Sequence, residues 1–303
     1  MLVATKNRVV LPDHVQRDVP LSSFTAYGVG GFADYFCVPE NVSELTSAIK
    51  WANEENIPFF VLGSGSNVLI SDEGYQGLII HMVDCCKEIK MIDETTIDVG
   101  AAVNLYDLVL FAEKRSLNGI VHLSGIPGTL GGAVHMNAGA FVGEIGDAIK
   151  VISLVTSEGL IRDITSDQAE FGYRQAPGIV SDIISGCIIS LKKGNREIMA
   201  TQRKDYLNKR KTKQPLRFKS CGSVFKRPPG DFAGRLIQVA GLKGKKIGDA
   251  QVSDKHANFI LNKGKATASD IYNLITYVQK RVYENSGILL EPEVKLVGFG
   301  DYL

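Results

Sequence analysis

Glycine is the feature of this sequence that most limits how the chain can fold. There are 31 glycines among the 303 residues, about half again as many as average usage would give, and many of them gather in short clusters. Glycine adopts backbone conformations that other residues avoid, and it lets a ligand approach the main chain. Such clusters therefore indicate tight turns and ligand sites, and they stand here at residues 28–33, 63–67 and 125–140.

The first cluster, GVGGFA, satisfies the GxGxxA pattern of dinucleotide-binding Rossmann folds. That pattern requires a helix that begins at the glycines and directs its first amides towards a pyrophosphate. Here the following residues, DYFCVPE, favour extended chain and reach Pro39 within a few positions. We therefore predict a strand after this cluster and reject a Rossmann fold.

The second and third clusters are better suited to holding an anion. The second, GSGSN, follows the apolar strand PFFVL and places main-chain amides beside two hydroxyls and an amide, which suits a phosphate. It lacks the GK[ST] ending of a P-loop. The third continues as a long run of small residues, against which a flat ligand can lie. Two such loops predict a ligand with two phosphates, and the alternative is that both are ordinary turns.

The apolar patterns predict an α+β protein with mixed sheets, because strands and helices intermingle without regular alternation. After a start that reads as coil, we expect strands at residues 34–38, 58–62, 78–83, 95–100, 149–156, 183–191 and 293–298. We expect helices from Asn41, where Glu44 completes a variant capping box, and over 104–116, 197–213, 233–240 and 269–285. Gly287 is placed to end the last helix.

Charge, cysteine and histidine content argue against several kinds of partner. Lys and Arg number 34 against 33 Asp and Glu, so no net charge points to nucleic acid or to an anionic membrane. The five cysteines form no CxxC pair, which fits reduced thiols in the cytoplasm, and the five histidines form no metal-binding motif. No apolar run reaches membrane-spanning length. We therefore predict neither a metal nor a membrane partner.

A basic segment at 203–213 permits one other interpretation of the function. It could serve a nucleic-acid-binding module, although the absence of net positive charge counts against this. A solvated helix face is the simpler interpretation.

Five motifs, taken in order, resemble those of the UDP-N-acetylenolpyruvoylglucosamine reductases of bacterial peptidoglycan synthesis. They are VLGSGSNVLI, SGIPGTLGGAVHMNAGA, FGYR, SCGSVFKRPPG and LEPEV. The resemblance implies an FAD-binding fold of the vanillyl-alcohol-oxidase (PCMH) type over 1–195, in lobes of about 1–70 and 71–195. It implies a C-terminal α+β substrate domain at 196–293 and a closing strand at 294–303 that returns to the FAD-binding region. The chain resembles the shorter type of the family, without an additional tyrosine-bearing loop.

The resemblance also implies the ligands. It implies non-covalent FAD, NADPH as reductant, UDP-N-acetylglucosamine enolpyruvate as substrate, and a monomer. The cysteine content and the balanced charge predict a cytoplasmic protein that binds no nucleic acid. The residues that it assigns to FAD are Gly63, Ser64, Gly65, Ser66, Asn67, Gly125, Ile126, Pro127, Gly128, Ala133, Asn137 and Gly139. The residues that it assigns to the substrate are Tyr173, Arg210, Lys211 and Lys226.

Three residues match the catalytic positions of the family. Arg174, in FGYR, matches the arginine that binds the substrate carboxylate, a task that suits an always-charged guanidinium with parallel donors. Glu293, in LEPEV, matches an acid that stabilises the enol form when protonated, so we expect a raised pKa. Ser223, in CGSVF, matches the serine that gives a proton to the carbon beside the carboxylate, with Lys226 available to stabilise the alkoxide.

Two local departures from the family pattern bear on this assignment. Gln175 follows Arg174 where the family often has a serine nearby, so the sequence does not show what supports the arginine. NAGA is followed by Phe-Val-Gly where Phe-Gly-Gly is commoner.

An FAD-dependent sugar or lactone oxidase of the same fold is the alternative function. Such relatives often attach FAD through a histidine near the loop equivalent to GSGSN. No histidine stands there, so we expect no covalent flavin.

Overall fold

The computed structural model describes residues 10–179 and 181–300 and shows an α+β fold. Within these ranges the helices are α1 (Val42–Glu54), α2 (Leu105–Lys114), α3 (Leu130–His135), α4 (Arg196–Lys213), α5 (Ala233–Val239) and α6 (Ala268–Ser286). The strands are β1 (Val15–Pro20), β2 (Phe32–Cys37), β3 (Phe59–Leu62), β4 (Val68–Ile70), β5 (Tyr75–His81), β6 (Ile89–Met91), β7 (Thr96–Gly100), β8 (Leu117–Asn118), β9 (Gly139–Ala140), β10 (Gly143–Glu144), β11 (Ile149–Val155), β12 (Ile161–Thr165), β13 (Ile183–Ser190), β14 (Lys192–Lys193), β15 (Lys246–Ile247), β16 (Ala250–Val252), β17 (Ile260–Asn262) and β18 (Lys295–Val297).

The first sheet is mixed, as predicted, with the strand order β1-β2-β5-β3. Strands β2 and β3 both pair in parallel with the central strand β5, whereas β1 is antiparallel to β2. Side chains of β5 alternate between two cores: Leu78 and Ile80 pack with α1, and Ile79 packs on the opposite face with Phe36 and Leu62. The GxGxxA cluster leads into β2 rather than into a helix, which confirms that it is not a Rossmann motif.

The coil predicted for the start of the chain is wrong over residues 15–20, which form β1. The sequence VQRDVP shows no apolar alternation because β1 is an edge strand in which Val15 is buried and most of the others are exposed. Asp18 has a positive φ of 53° and interrupts the regular pleat. Pairing with β2, and not a local pattern, makes this segment a strand.

The second sheet is antiparallel, with the order β12-β11-β13-β7-β6. Its central strand β13 is almost wholly apolar and buried, since sheet neighbours lie on both sides and α3 covers one face. Because β5 belongs to the first sheet, that sheet continues past residue 70, where the sequence suggests that the first lobe ends. The domain division itself stays a prediction.

The C-terminal region contains a small sheet, β15-β16-β17, packed with α5 and α6. Its core extends into the first lobe, since Tyr27, Val29 and Leu69 belong to the same buried cluster. Strand β18 pairs in parallel with β4, directly after the GSGSN loop. This pairing brings the last motif, LEPEV, beside the GSGSN loop.

Helix α4 explains much of the basic segment at 203–213. Arg203 donates from Nε to Glu113 of α2 at 2.7 Å, and both side chains are largely buried.

The predicted helices and strands are confirmed, with ends displaced by a few residues. The capping predictions also hold: Asn41 accepts from the Glu44 amide at 2.9 Å, and Gly287 ends α6 with a φ of 72°.

Asp72 attaches α6 to the first lobe. Its carboxylate accepts hydrogen bonds from the amides of Ala268 and Ser269, each at 2.8 Å, and from the Ser269 hydroxyl at 2.6 Å. Partial burial alone would raise the pKa of Asp72, but these three hydrogen bonds outweigh it and lower the pKa. An ionised Asp72 therefore stabilises the joint between the two regions.

We expect Asp72→Ala to lower the free energy of unfolding by about 1 kcal/mol, as loss of a helix N-terminal cap does. Because the folded pKa is depressed, the contribution is present above the unfolded pKa and is lost as the pH falls through the folded pKa. Urea denaturation at neutral and acidic pH measures both effects. Glu73→Gln removes a neighbouring carboxylate as a control, and equal destabilisation by the two variants would contradict the assignment.

Candidate active site

A large cavity lies among residues of the first sheet, the second sheet and the C-terminal region. Its volume is about 1010 Å³, at the upper end of the roughly 300–1000 Å³ typical of cofactor and ligand sites. Both glycine loops and all three predicted catalytic residues line it. The predicted site residues at its wall are Gly63, Ser64, Gly65, Ser66, Asn67, Gly125, Ile126, Pro127, Gly128, Ala133, Gly139, Arg174, Arg210, Ser223 and Glu293.

The GSGSN loop is held in place by close packing of its main chain. Gly65 has a φ of +64°, and a Cβ at this position would lie 1.9 Å from the carbonyl oxygen of Phe24. The Gly65 carbonyl in turn accepts from the Ala26 amide at 3.0 Å. No side chain fits there, so glycine is required for both conformation and space.

The two glycine loops contact each other directly. The Ser66 hydroxyl donates to the Pro127 carbonyl at 3.1 Å, and the Ser64 hydroxyl donates to Ser66 Oγ at 3.3 Å. A Cβ on Gly128 would lie 3.3 Å from Ser66 Oγ. The result is a cradle of main chain and hydroxyls with little side-chain bulk, which fits a diphosphate that needs amide and hydroxyl donors.

Arg174 occupies a strained turn at the cavity wall. Its φ is +57°, in the left-handed region, which costs a non-glycine residue about 1–2 kcal/mol. Gly172 and Gln175 close the turn by exchanging backbone hydrogen bonds at 3.0 and 3.3 Å. The strained turn directs the guanidinium into the cavity, where a side chain on a regular strand would not point.

Arg174 and Glu293 form an ion pair within the cavity wall. Arg174 Nε donates to Glu293 Oε1 at 2.8 Å, and Nη2 donates to the Gly139 carbonyl at 3.2 Å. The side chains are 19% and 16% exposed, so the pair is shielded from water. Gly139 and Glu293 supply the polar support for Arg174 that the sequence after FGYR does not.

Burial raises the pKa of Glu293, and the charges of Arg174 and Lys226 oppose that rise without cancelling it. The direction agrees with the expectation from the sequence. Another anion that enters the cavity would raise the pKa of Glu293 further.

The backbone around Glu293 connects the catalytic residues to the GSGSN loop. The Asn67 side chain donates to the Glu293 carbonyl at 3.0 Å, and the Glu293 amide donates to the carbonyl of Val224 at 2.7 Å. Ser223, just before Val224, therefore lies beside Glu293 in the same wall. Gly222 has a φ of +75° with open space around it, so it sets the turn that presents Ser223.

Two predicted site residues have clear roles outside the cavity. Asn137, assigned to FAD, is 2% exposed. Its side chain donates to the Gly172 carbonyl at 3.0 Å and accepts from the Gly146 amide at 3.0 Å. Asn137 thus braces the turn that carries Arg174. Lys211, assigned to the substrate, is exposed on α4 and its carbonyl accepts from the Lys255 ammonium at 2.7 Å.

Of the remaining substrate residues, Arg210 lines the cavity, whereas Tyr173 and Lys226 are not among its lining residues. The hydroxyl of Tyr173 accepts from the Arg227 amide at 3.1 Å. The ammonium of Lys226 bonds to the Glu291 carboxylate. Arg210 lines the cavity, and its Nε donates to the Ser124 carbonyl at 3.0 Å.

The cavity wall also contains residues that sequence reasoning missed, among them His135, Phe141 and Lys295. Burial and the nearby Lys295 lower the pKa of His135, which favours its neutral form. Lys295 stands two places after Glu293 where β18 begins, and that spacing was the available signal. Within residues 10–179 and 181–300, no three His, Cys, Asp or Glu side chains are arranged to hold a metal. No helix of these residues is long and apolar enough to span a membrane.

The fold and the cavity define an FAD-binding oxidoreductase with a separate C-terminal domain. Residues 33–165 match the FAD binding domain family, and residues 214–297 match the C-terminal domain of UDP-N-acetylenolpyruvoylglucosamine reductase. The fold expected from the resemblance, of the vanillyl-alcohol-oxidase type followed by this domain, is confirmed.

Whole-chain relatives agree with these matches. UDP-N-acetylenolpyruvoylglucosamine reductase from Alkaliphilus oremlandii is 40% identical over 296 residues, covering 96% of each chain. Reductase 2 from Bacillus cereus is 42% identical over 291 residues, covering 95% of each. The crystal structure of the reductase from Thermus caldophilus superposes with a TM-score of 0.79 at 36% identity, covering 93% of this chain and 98% of that one. The chain belongs to the UDP-N-acetylenolpyruvoylglucosamine reductase family.

The cradle gives a test of cofactor binding. We expect Gly65→Ala to lose most of its FAD, because the methyl group would displace the GSGSN loop from the Phe24 carbonyl. The flavin-to-protein absorbance ratio of the purified variant measures this. Gly230→Ala is the matched control: Gly230 also has a positive φ, 72°, but its Cβ would meet open space. Full FAD content in Gly65→Ala would contradict the assignment of this loop.

Proposed function

We propose that this protein reduces the enolpyruvyl group of UDP-N-acetylglucosamine enolpyruvate to the lactyl group of UDP-N-acetylmuramate, a step of peptidoglycan precursor synthesis. The observation that carries this proposal is the shared cavity, in which Arg174, Ser223 and Glu293 line a wall continuous with two glycine loops. NADPH as reductant, the cytoplasmic location and the monomeric state belong to the proposal and rest on the family resemblance.

The cradle residues fit FAD by their chemistry. Gly63 to Asn67 and Gly125 to Gly128 would hold its diphosphate and the groups that flank it. FAD, when bound, supplies the two-electron redox chemistry that amino-acid side chains cannot provide. NADPH is the source of the electrons, and substrate binding and proton transfer fall to side chains of this protein.

Arg174 binds the substrate carboxylate. Its guanidinium is already oriented by the Gly139 carbonyl and the strained turn, so little side-chain freedom is lost on binding. Glu293 occupies Arg174 Nε and the Gly139 carbonyl occupies one N–H of Nη2, so the other Nη donors are left for the substrate carboxylate. The arginine also stabilises negative charge that accumulates on that carboxylate during the reaction.

Glu293 acts in its protonated form. A second carboxylate beside the substrate anion would repel it, whereas a carboxylic acid donates a hydrogen bond to the same oxygen. Burial has already raised the pKa of Glu293, so the additional rise required on substrate binding is smaller. Lys226 limits the rise, because its positive charge favours the ionised form.

Ser223 gives its proton to the substrate carbon next to the carboxylate. A hydroxyl is a weak acid, but here the accepting carbon is strongly basic. The turn at Gly222 presents the hydroxyl to the cavity. Lys226, whose positive charge acts on Glu293, would stabilise the alkoxide that remains.

The nucleotide part of the substrate would lie towards α4, where Arg210 lines the cavity. Burial lowers the pKa of Arg210, but a guanidinium stays charged in proteins, so its positive charge is available to a diphosphate. Tyr173, about half exposed, stands beside Arg174 and would offer an aromatic contact to the substrate.

Ser223→Ala tests the proton donor by separating the two half-reactions. We expect NADPH to bleach the flavin at the normal rate, while reoxidation by the enolpyruvyl sugar slows by about 10²–10³-fold, the usual effect of losing one transition-state donor. Anaerobic stopped-flow absorbance measures each half-reaction in turn. Ser43→Ala, on α1, serves as the control, and normal reoxidation in Ser223→Ala would remove Ser223 from the mechanism.

Proton uptake on substrate binding tests the protonation of Glu293. We expect the complex to take up about one proton near neutral pH, because the substrate anion raises the Glu293 pKa further. Calorimetric titration in buffers of different ionisation enthalpy measures the uptake. Glu293→Gln should abolish it, whereas Glu291→Gln should retain it, and equal uptake by both variants would contradict this role.

A further inference from the structure

Two adjacent cysteines stand between the first and second sheets, outside the proposed reaction. Cys85 and Cys86 lie in the connection between β5 of the first sheet and β6 of the second. Their Sγ atoms are 3.0 Å apart and share a hydrogen bond. Cys86 has a φ of +62°, a left-handed conformation that is unusual for cysteine. The backbone at this point thus brings together two thiols that an extended chain would direct to opposite sides.

The two thiols differ in exposure and chemistry. Cys85 is fully buried, whereas Cys86 is partly exposed. The hydrogen bond between the two thiols lowers the pKa of Cys86, against the opposing effects of burial and of the Asp98 and Glu88 carboxylates. Cys86 therefore combines access with thiolate character, the two properties that make a cysteine reactive.

The other three cysteines are less reactive. Cys37, Cys187 and Cys221 are all buried. Burial raises the pKa of Cys37 and of Cys221 to about 12, and it raises that of Cys187 as well. Their thiols stay protonated and out of reach of small reagents at neutral pH.

We propose that Cys85 and Cys86 form a dithiol site for low-molecular-weight disulfides of the glutathione class. In the first step, the Cys86 thiolate attacks one sulfur of the disulfide, a mixed disulfide forms, and one thiolate of the reagent leaves. In the second step, Cys85 loses its proton and attacks the Cys86 sulfur, which releases the second reagent thiolate. The protein loses two electrons and two protons, and one disulfide is reduced to two thiols.

Closing this ring requires the local backbone to change. Adjacent Cα atoms are about 3.8 Å apart across a trans peptide, whereas disulfides usually join Cα atoms about 4.4–6.8 Å apart. The product is therefore strained, and thiols should reduce it readily.

The backbone change would reach the cavity through two hydrogen bonds. The Cys86 carbonyl accepts from the Ala102 amide at 3.1 Å, and the Ala101 carbonyl accepts from the Gly131 amide at 2.8 Å. Both Ala101 and Gly131 line the cavity. Moving Cys86 would therefore shift the part of the cavity wall that adjoins the glycine-rich segment at residues 125–140.

Peptide mass spectrometry tests the proposal on the FAD-loaded protein. The protein is incubated with oxidised glutathione, alkylated under denaturing conditions and digested with trypsin. The peptide of residues 51–87 contains Cys85 and Cys86 and no other cysteine. We expect it to lose the mass of two hydrogen atoms and to escape alkylation, at a rate about tenfold above modification of the peptides that hold the other cysteines. Dithiothreitol should restore both thiols.

Two variants separate the steps. Cys85→Ser should stop at a stable mixed disulfide on Cys86, and Cys86→Ser should not react. A wild-type protein that keeps glutathione on residues 51–87, leaves both cysteines free for alkylation, or reacts as fast elsewhere would overturn the proposal, and none of these outcomes depends on the variants folding.

Flavin fluorescence tests the connection to the cavity. We expect the oxidised protein to release FAD about tenfold faster than the reduced protein on dilution, and dithiothreitol to reverse the change. Equal release rates would overturn the connection between the dithiol and the glycine-rich segment at residues 125–140.

Discussion

The close approach of the Gly65 main chain to the Phe24 carbonyl is the constraint on which the site depends. It fixes the GSGSN loop, and this loop then holds the glycine-rich segment at residues 125–140 through the hydrogen bond from Ser66 to Pro127. Both anion-binding segments are thereby oriented before a ligand arrives, so binding loses little backbone entropy. Larger side chains at these positions would fill the space that the diphosphate needs.

A shielded charge pair forms the other half of the site. Arg174 is held by a strained turn and Glu293 by the start of β18, and the two meet 119 residues apart in the chain. In water such a pair would be weak, but limited exposure strengthens each interaction with an incoming anion. The same burial raises the Glu293 pKa, so one environment provides both a fixed cation and an acid that can be neutral.

Sequence predicted elements well where local patterns decide the structure. Alternating apolar residues gave the strands, and caps such as Asn41 and Gly287 gave the helix ends. β1 was missed because its partner alone makes it a strand, and short α3 was hidden in a run of small residues. Motifs named Arg174, Ser223 and Glu293, but neither the turn strain at Arg174 nor the bracing role of Asn137 follows from local sequence, since both depend on distant contacts.

The parallel pairing of β18 with β4 has a consequence for biosynthesis. Strand β4 directly follows the GSGSN loop, whereas β18 comes after every other element in the chain. Domains form from the N-terminus onwards during translation, so the early lobes must wait for the last strand before the wall carrying Glu293 and Lys295 exists. A nascent chain that still lacks β18 is consequently inactive, and the cavity is complete only after β18 has paired with β4.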